Sequence, residues 1–344
     1  MKHIKAGYVY HYELKNFTYE DANRLDVINI AFGLLKDGEV YFPHADTLTE
    51  LPRIKSYNPN LRMVISVGGW GAGGFSPAAA TEEGRKKFAD SCVALAEQWN
   101  LDGMDIDWEY PGLDWAGIEA SPDDKTNYTL LLQAVRDAFN AAGHTDWMLT
   151  VAVGCDRYFT QNTEMDKVAK ILDYVSLMTY DMRGCGEPFT GHHTNLLPYP
   201  DSENNPRGKR SVLHTVKVYE EAGVPREKLV VGIAFYSRWW NDVTEAGEHN
   251  GLRVKAGAGE YGPWYHEILD KYMGKGEFKE YWDEDCKAPY LFDGKTFISY
   301  DNERSIAEKC KFVKENGLLG VMYWEHSCDS TRTLLQAMYD NMKD

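Results

Sequence analysis

Carboxylic acids recur at every second position of one short segment that otherwise resembles a buried strand. Residues 101–112 read LDGMDIDWEYPG, and Asp105, Asp107 and Glu109 alternate there with large apolar residues. Because side chains alternate between the two faces of a strand, the three acids share one face, about 6.6 Å apart. Burial and mutual repulsion keep such a row from being fully ionised, so its protons belong to the set. Glu109, the last acid, is the candidate general acid.

The direction of these side chains limits the reactions they can perform. A glycosidase that works with two carboxylates needs them on opposite sides of the bond that is cleaved. Asp107 and Glu109 lie on one strand and point the same way, so Asp107 is badly placed for backside attack. The nucleophile must then come from another strand, from water or from the substrate. We favour a 2-acetamido group that attacks its own anomeric carbon while Asp107 orients it.

Two other interpretations of the acidic row do not involve catalysis. The row could be a solvated acidic strand, although three acids between large apolar residues are unusual for one. It could also be a metal cluster, but no histidine accompanies the acids locally, and one strand face places ligands in a line rather than around an ion.

Apolar, β-branched segments recur along the chain with helical segments between them. The predicted strands are residues 4–10, 27–33, 62–68, 103–108, 147–153, 174–180, 229–235 and 319–324. Helical periodicity is clearest at residues 82–100, 124–143, 211–223 and 302–317. Several strands are apolar nearly throughout, which is typical of parallel strands covered on both faces. The order predicts an α/β fold, a (β/α)8 TIM barrel. A doubly wound sheet is the competitor, but no G-x-G-x-x-G follows the first strand.

The even spacing of strands is interrupted after the seventh. Residues 239–296 are rich in Gly, Trp, Tyr and acidic residues, and a structureless loop of that length is unusual inside a compact domain. We therefore predict a small α+β insertion there, between strands 7 and 8, and a catalytic barrel formed by residues 1–238 and 297–344. The loop 185–206 carries no feature that assigns a role; His192 and His193 within it could border a subsite, but we interpret them as loop surface.

Composition excludes several partners. The net charge of −16 argues against nucleic acid, which requires a basic footprint. No apolar run approaches the ~20 residues that span a bilayer, so we expect no membrane partner. The first residues lack the apolar core of a secretory signal, so we expect a cytoplasmic protein or a secreted one whose signal has been removed. None of the six cysteines forms a C-x-x-C pair, and we expect a monomer without metal or cofactor.

Five segments resemble motifs of the family 18 glycoside hydrolases, the chitinases and their relatives. DGMDIDWE (102–109) is similar to the D-G-x-D-x-D-x-E signature, SVGGW (66–70) to S-x-G-G, and LMTYDM (177–182) to M-x-Y-D. GIAFYSR (232–238) and GVMYWE (320–325) resemble the segments on strands seven and eight. Ala234 and Ser237 replace the usual Pro and Gly of the strand-seven segment. The insertion also resembles the subdomain that deepens the cleft in one chitinase subfamily.

The resemblance implies substrate-assisted, retaining hydrolysis of β-1,4-linked N-acetylglucosamine in chitin or chito-oligosaccharides. Glu109 would protonate the leaving oxygen and later activate water. Asp107 would bind the acetamide N–H, with Asp105 sharing a proton deeper in the barrel. Tyr180 would donate to the acetamide carbonyl and Asp181 would hold the distorted sugar.

The resemblance also implies a set of substrate-binding side chains. Trp324 would form a stacking floor with Met178 and Met322 beside it. Neighbouring subsites would be lined by Trp70, Tyr236, Arg238, Tyr8 and Phe32.

Two other functions remain open within the same resemblance. An endo-β-N-acetylglucosaminidase acting on N-glycan cores uses the same acid but usually lacks the insertion. A chitinase-like sugar-binding protein usually lacks the terminal acid of the signature, whereas Glu109 is present here.

Overall fold

Eight parallel strands close into a barrel surrounded by helices. The structure, a computed structural model, describes residues 3–203 and 206–343. Residues 1–2, 204–205 and 344, which belong to the predicted barrel, lie outside the described residues. Its strands are β1 (Ile4–Tyr10), β2 (Val27–Lys36), β3 (Glu39–Tyr41), β4 (Arg62–Gly68), β5 (Gly103–Asp107), β6 (Met148–Gly154), β7 (Tyr174–Met178), β8 (Leu229–Ala234), β9 (Tyr236–Trp240), β10 (Glu260–Trp264), β11 (Lys279–Asp283), β12 (Ala288–Phe292), β13 (Phe297–Ser299) and β14 (Gly320–Trp324).

Its helices differ widely in length. They are α1 (Tyr19–Arg24), α2 (Leu51–Tyr57), α3 (Phe75–Ala79), α4 (Glu82–Trp99), α5 (Asp124–Ala141), α6 (Arg157–Gln161), α7 (Met165–Ile171), α8 (Val212–Glu221), α9 (Tyr265–Glu267), α10 (Glu303–Glu315) and α11 (Thr333–Met342). Short 3-10 or π turns occupy His11–Asn16, Ala45–Glu50, Pro206–Lys209, Arg226–Lys228, Ile268–Tyr272 and His326–Cys328. Among the described residues, no helix combines the length and the apolar character needed to cross a membrane.

The predicted (β/α)8 barrel is confirmed. Its strands follow the order β1-β14-β8-β7-β6-β5-β4-β2, and β1 pairs in parallel with both β14 and β2, which closes the ring. All eight predicted strands are present, with ends that differ by at most three residues. β7 ends at Met178, so Tyr180 and Asp181 lie beyond the end of the strand. Ser211 and Asn302, included in two predicted helices, are the N-caps of α8 and α10 and accept bonds from backbone N–H groups.

The apolar face of β5 packs against the helices, as the alternation of its side chains predicts. The Trp108 ring stacks on Phe75 of α3, with ring centroids 5.3 Å apart, and meets Tyr128 of α5 edge to face at 5.9 Å. The acidic face therefore turns toward the barrel axis, since the two faces of a strand are opposite.

The segment between β8 and β14 forms a second, antiparallel sheet with the order β10-β9-β13-β12-β11. Its core is separate from that of the barrel and includes Trp240, Tyr290 and Phe297. The sheet extends beyond the predicted range 239–296 at both ends. Strand β9 begins a few residues before it, and β13 ends a few residues after it. The division of the chain into a barrel and an insertion at those exact residues stays a prediction.

Residues 190–196 of the loop that follows β7 are buried between the barrel and this second sheet. The interpretation of His192 and His193 as loop surface is wrong, because both side chains are inaccessible to solvent. His192 Nε2 lies 3.0 Å from the Asp283 carboxylate of β11. The insertion covers the loop, and a contact of that kind cannot be recognised from the loop's own composition.

A buried ion pair joins three parts of the fold. Lys309 Nζ on α10 donates to Asp301 Oδ2 at 2.6 Å and to the Thr194 hydroxyl of the loop at 2.6 Å. The same Asp301 oxygen accepts the backbone N–H of Ala234 at the end of β8, at 3.1 Å. Burial lowers the pKa of Lys309, which the Asp301 charge opposes. The pair therefore holds β8, the loop and α10 in one arrangement.

Lys309→Met is expected to lower the free energy of unfolding by about 3–5 kcal/mol, because it leaves a buried carboxylate without its counter-ion. The measurement is urea denaturation followed by tryptophan fluorescence. The control is Lys86→Met, which removes an exposed pair with Asp90 on α4 and should cost less than about 1 kcal/mol. Equal losses in the two variants would contradict the importance of the buried pair.

Candidate active site

A cleft of about 1230 Å³ opens where the barrel strands end. Its lining includes Asp107 and Glu109 after β5, Tyr180 and Asp181 after β7, and Trp324 at the end of β14. Active sites of TIM barrels form at this face, because the loops that follow the strands meet there. The cleft is therefore the candidate active site.

Asp105 lies beneath the cleft, fully buried in the barrel interior. Its carboxylate accepts hydrogen bonds from Tyr8 of β1 at 2.9 Å, Ser66 of β4 at 2.8 Å and Thr150 of β6 at 2.6 Å. Donors from three other strands can meet only on the barrel axis. Burial raises the pKa of Asp105, although the three hydroxyls oppose the rise by stabilising the anion. The sharing of a proton with Asp107 stays a prediction.

Asp107 sits one layer above Asp105 and reaches the cleft. Burial raises its pKa well above the ordinary value, and the charges of Glu109 and Asp105 raise it further. Its Oδ1 atom is buried and has no hydrogen-bond partner among the described residues. A buried acceptor of this kind usually has a partner, so a ligand donor is the natural one.

Two glycines let β4 approach the backbone of Asp107 closely. A Cβ atom on Gly68, whose φ is +122°, would come within 2.1 Å of the Asp107 carbonyl oxygen. The same carbonyl accepts the backbone N–H of Gly69 at 2.9 Å. Only glycine fits this contact, so the S-x-G-G segment supports the acidic strand, while Ser66 bonds Asp105.

Glu109 is the acid nearest the opening of the cleft. Burial raises its pKa to about 7; a hydrogen bond from Tyr110 opposes the rise, and the charge of Asp181 adds to it. A carboxyl group with this pKa is available as a neutral acid near neutral pH and can also act as a base after it has given up its proton. This combination suits acid and base catalysis by one residue.

Tyr180 provides a hydroxyl group in the lower part of the cleft. Burial, followed by the charges of Asp107 and Asp181, raises its pKa well above the ordinary value. The hydroxyl is therefore protonated and can donate. It lies 4.0 Å from the sulfur of Met322.

Met322, expected beside the stacking floor, does not line the cleft. Met322 is fully buried and lies under Tyr180, one strand layer deeper than Trp324, whereas Met178 does line the cleft. Because side chains of a strand share a face at every second position, Met322 points inward like Trp324 but does not reach the rim.

Asp181 and Arg238 form an ion pair on the cleft wall. Arg238 Nε donates to Asp181 Oδ1 at 2.7 Å, and the guanidinium lies over the Tyr261 ring at 3.5 Å. Burial by itself would raise the pKa of Asp181, but the hydrogen bond and the positive charge of Arg238 lower it below the ordinary value. Asp181 is therefore ionised. Arg238 Nη1 is buried without a partner among the described residues, and Tyr236 lines the cleft beside it.

Aromatic rings form the floor and one side of the cleft. Trp324 stacks with Phe32 at 5.4 Å and contacts Tyr8 at 5.7 Å. Trp70 is 62% exposed and faces Tyr110, with ring centroids 6.2 Å apart. Flat apolar faces and a few convergent polar groups are typical of a site for a small organic ligand.

Several cleft residues were missed in the sequence analysis. Trp115 and Tyr158 are about half exposed and lie edge to face at 5.3 Å beyond Tyr110. Tyr261 comes from the inserted sheet. Trp115 stands on a loop and Tyr158 on the short helix α6, and neither these segments nor the insertion has a periodic pattern that marks cleft residues. Thr150, which bonds Asp105 beneath the cleft, was also missed, although a polar residue at an inward position of an otherwise apolar strand could have indicated it.

One His, Asp and Cys group lies close enough to be considered for metal binding within the part of the chain that is described. The ligand atoms of His192, Asp283 and Cys286 lie within 4.8 Å of one another. Asp283 already binds His192 Nε2 at 3.0 Å and the backbone N–H of Cys286 at 3.1 Å. Burial, with the charge of Asp283, raises the pKa of the Cys286 thiol, and a metal ligand must be deprotonated. None of the three lines the cleft.

Comparison with known sequences identifies relatives over most of the chain. Residues 5–329 match the model of the glycosyl hydrolases family 18. Chitinase A1 of Niallia circulans is 38% identical over 310 residues, which cover 85% of this chain and 44% of that protein. Chitotriosidase-1 of Mus musculus is 32% identical over 293 residues, covering 82% and 62%. The chain thus spans less than two thirds of the length of these curated relatives.

Solved structures agree with the sequence relatives. A glycoside hydrolase family 18 N-acetylglucosaminidase from Paenibacillus barengoltzii is 48% identical, with a TM-score of 0.94 over 98% of this chain and 99% of that chain. A Group IV chitinase of Ostrinia furnacalis in complex with allosamidin is 27% identical, with a TM-score of 0.88 over 98% of both chains. The chain therefore belongs to the glycosyl hydrolases family 18.

Proposed function

We propose that this chain is a chitinase that hydrolyses the β-1,4 linkages of N-acetylglucosamine oligomers and polymers. The observation that carries the proposal is the Glu109 carboxyl group, whose pKa of about 7 makes it a neutral acid in an aromatic-lined cleft. It stands at the end of a row whose deeper members also have raised pKa values. Relatives named as chitinases support the same substrate class.

The proposed mechanism uses the substrate's own acetamide as the nucleophile. Glu109 gives its proton to the glycosidic oxygen while the acetamide carbonyl oxygen attacks the anomeric carbon from the opposite side. The C–O bond to the leaving sugar breaks, and a cyclic oxazolinium ion forms. Glu109, now a carboxylate, takes a proton from water as the water adds to the anomeric carbon. The ring opens with overall retention, and Glu109 is again an acid.

The remaining residues of the site hold the acetamide group in place. The unpartnered Asp107 Oδ1 would accept the acetamide N–H, which stabilises the positive charge that develops on the ring. The Tyr180 hydroxyl would donate to the attacking carbonyl oxygen. Trp324 would stack beneath the sugar, and Asp181 would accept a hydroxyl of the distorted ring. Each contact is worth most if it strengthens in the transition state.

A second candidate is the release of single N-acetylglucosamine units from chain ends. It is favoured by the 48% identity to a protein named as an N-acetylglucosaminidase. Product analysis on a labelled hexamer distinguishes the two modes: internal cleavage gives mixed oligomers at early times, whereas end release gives the monomer first. An N-glycan substrate run beside it tests action on glycan cores, which the inserted sheet disfavours.

Glu109→Gln is expected to lower kcat on an N-acetylglucosamine tetramer by about 10²- to 10⁴-fold, because the amide cannot donate a proton as an acid does. Binding of the tetramer, measured by calorimetry, should persist because glutamine has nearly the same shape. Glu83→Gln on the exposed side of α4 is the matched control. Near-normal turnover by the Glu109 variant would remove this residue from the acid role.

Removal of the acetyl group from the sugar at the cleaved bond should slow hydrolysis by about 10²-fold or more, because an attached nucleophile is lost. The measurement uses tetramers with one defined deacetylated unit and identifies the cleaved bonds by mass spectrometry. A tetramer deacetylated only at the sugar on the leaving side serves as the control. Equal rates at acetylated and deacetylated positions would rule out participation by the acetamide.

The pH profile of kcat/KM should fall above about pH 7, tenfold per unit, as free Glu109 loses the proton that the first step requires. The sign follows from the direction of the shift: burial raises the pKa, so the acid form survives to higher pH than for an ordinary glutamic acid. Tryptophan fluorescence over the same range checks that the fold is intact. A fall that begins near pH 4.5 would show that Glu109 is not shielded as described.

A further inference from the structure

Asp181 combines a rare backbone conformation with a position at the cleft. Its φ is +54°, in the left-handed region that non-glycine residues seldom occupy. Its side chain is 38% exposed and lines the cleft. The residue directly follows Tyr180, so a change in this backbone would move both side chains. Such a conformation persists only where the surroundings hold it.

Two neighbours hold the two sides of Asp181. Arg238 Nε donates to the carboxylate at 2.7 Å. On the backbone side, the Asp181 N–H points at His193 Nδ1 at a distance of 3.4 Å. The same Nδ1 atom lies 3.7 Å from Asp181 Oδ1, so one ring of the loop contacts both the main chain and the carboxylate.

His193 is itself fixed from three directions. Its backbone N–H donates to the Ser299 hydroxyl of β13 at 2.9 Å, and its carbonyl accepts the backbone N–H of Met182 at 3.1 Å. Its ring packs edge to face on Tyr236, with centroids 5.3 Å apart. The side chain is fully buried and does not line the cleft, so it acts on a ligand only through other residues.

The hydrogen bonds assign the form of the His193 ring. Nδ1 accepts the Asp181 N–H, so the proton of a neutral ring is on Nε2, which has no partner among the described residues. Burial lowers the pKa of His193, although the Asp181 carboxylate opposes this. The ring is therefore a neutral acceptor, and the part that matters is the lone pair of Nδ1.

We propose that His193 is a positioning residue of this site. Its Nδ1 atom holds the Asp181 backbone in the left-handed conformation, and thereby aims the Asp181 carboxylate and the preceding Tyr180 hydroxyl into the cleft. No motif or pattern in the sequence assigned a role to this histidine. The inference rests on the proposed hydrolysis for its kinetic readout, but the geometry it describes is independent of the substrate.

The test compares two amides that imitate opposite ends of the imidazole. In His193→Asn the side-chain oxygen can occupy the place of Nδ1, whereas in His193→Gln the amide reaches the place of Nε2 and leaves Nδ1 empty. We expect kcat of His193→Asn to stay near that of the unsubstituted protein. His193→Gln should lose about 10- to 100-fold in kcat with little change in KM, because the reacting groups are misplaced. His193→Ala serves the same purpose should the Gln variant not fold.

His192 is the matched control, since it is the next residue and equally buried. It pairs through Nε2 with Asp283, away from the cleft. At this position Gln, not Asn, is expected to replace the histidine, and the readout is stability. His192→Gln should retain the melting temperature and His192→Asn should lower it, while kcat is unchanged in both. A merely structural role of His193 would give the same behaviour at both positions, with loss of stability and no separate effect on kcat.

A second readout separates failure of this inference from failure of the proposed function. The NMR signal of the Arg238 Nε–H group, which donates to Asp181, should shift in His193→Gln and stay unchanged in His193→Asn and His192→Asn. If the unsubstituted protein hydrolyses no N-acetylglucosamine oligomer, the proposed function fails and this signal alone decides. Full kcat in a folded His193→Gln or His193→Ala variant, or an unmoved Arg238 signal in either, would overturn the positioning role.

Discussion

The site depends on the burial of three carboxyl groups in one row along the inner face of β5. Water cannot solvate them there, and charge on one disfavours charge on the next. The lowest, Asp105, is stabilised by hydroxyl groups from three other strands. The pKa of Asp107 is raised by burial and further by the charges of Glu109 and Asp105, and that of Glu109 by burial and the charge of Asp181. The barrel thus keeps a neutral acid at the opening of the cleft, next to a buried acceptor that has no protein partner.

The opposite electrostatic outcome occurs a short distance away on the cleft wall. Asp181 is also a carboxylic acid of the cleft, but Arg238 lowers its pKa through a hydrogen bond and positive charge. Two acids with different environments can serve as a proton donor and as a permanent anion in one cleft. The partners of Asp181 come from β9 and from the loop after β7, and that loop is in turn covered by the inserted sheet. The second sheet therefore contributes to the electrostatics of the cleft as well as to its wall.

The barrel and the acidic row could be predicted because both leave local, periodic patterns. Eight apolar segments between helices indicate parallel strands, and acids at every second position indicate one face of a strand. Prediction was poorer for residues whose role depends on distant contacts. Met322 has the spacing of a cleft residue but lies one layer too deep. His192 and His193 contact residues of the second sheet that lie 91 and 106 residues further along the chain. Trp115 and Tyr158 line the cleft from a loop and from the short helix α6, where composition does not indicate the direction of a side chain.

The sequence by itself determined how polar and apolar residues alternate along each strand. It thereby determined which side chains face the barrel axis, because this alternation follows from local backbone geometry. It also determined that Glu109 is the last acid of the row. Only the tertiary structure decided which acids keep their protons, which carboxylate is ionised and which histidine touches the site. These properties depend on burial and on partners from other strands, loops and the inserted sheet, and such contacts form between residues far apart in the chain.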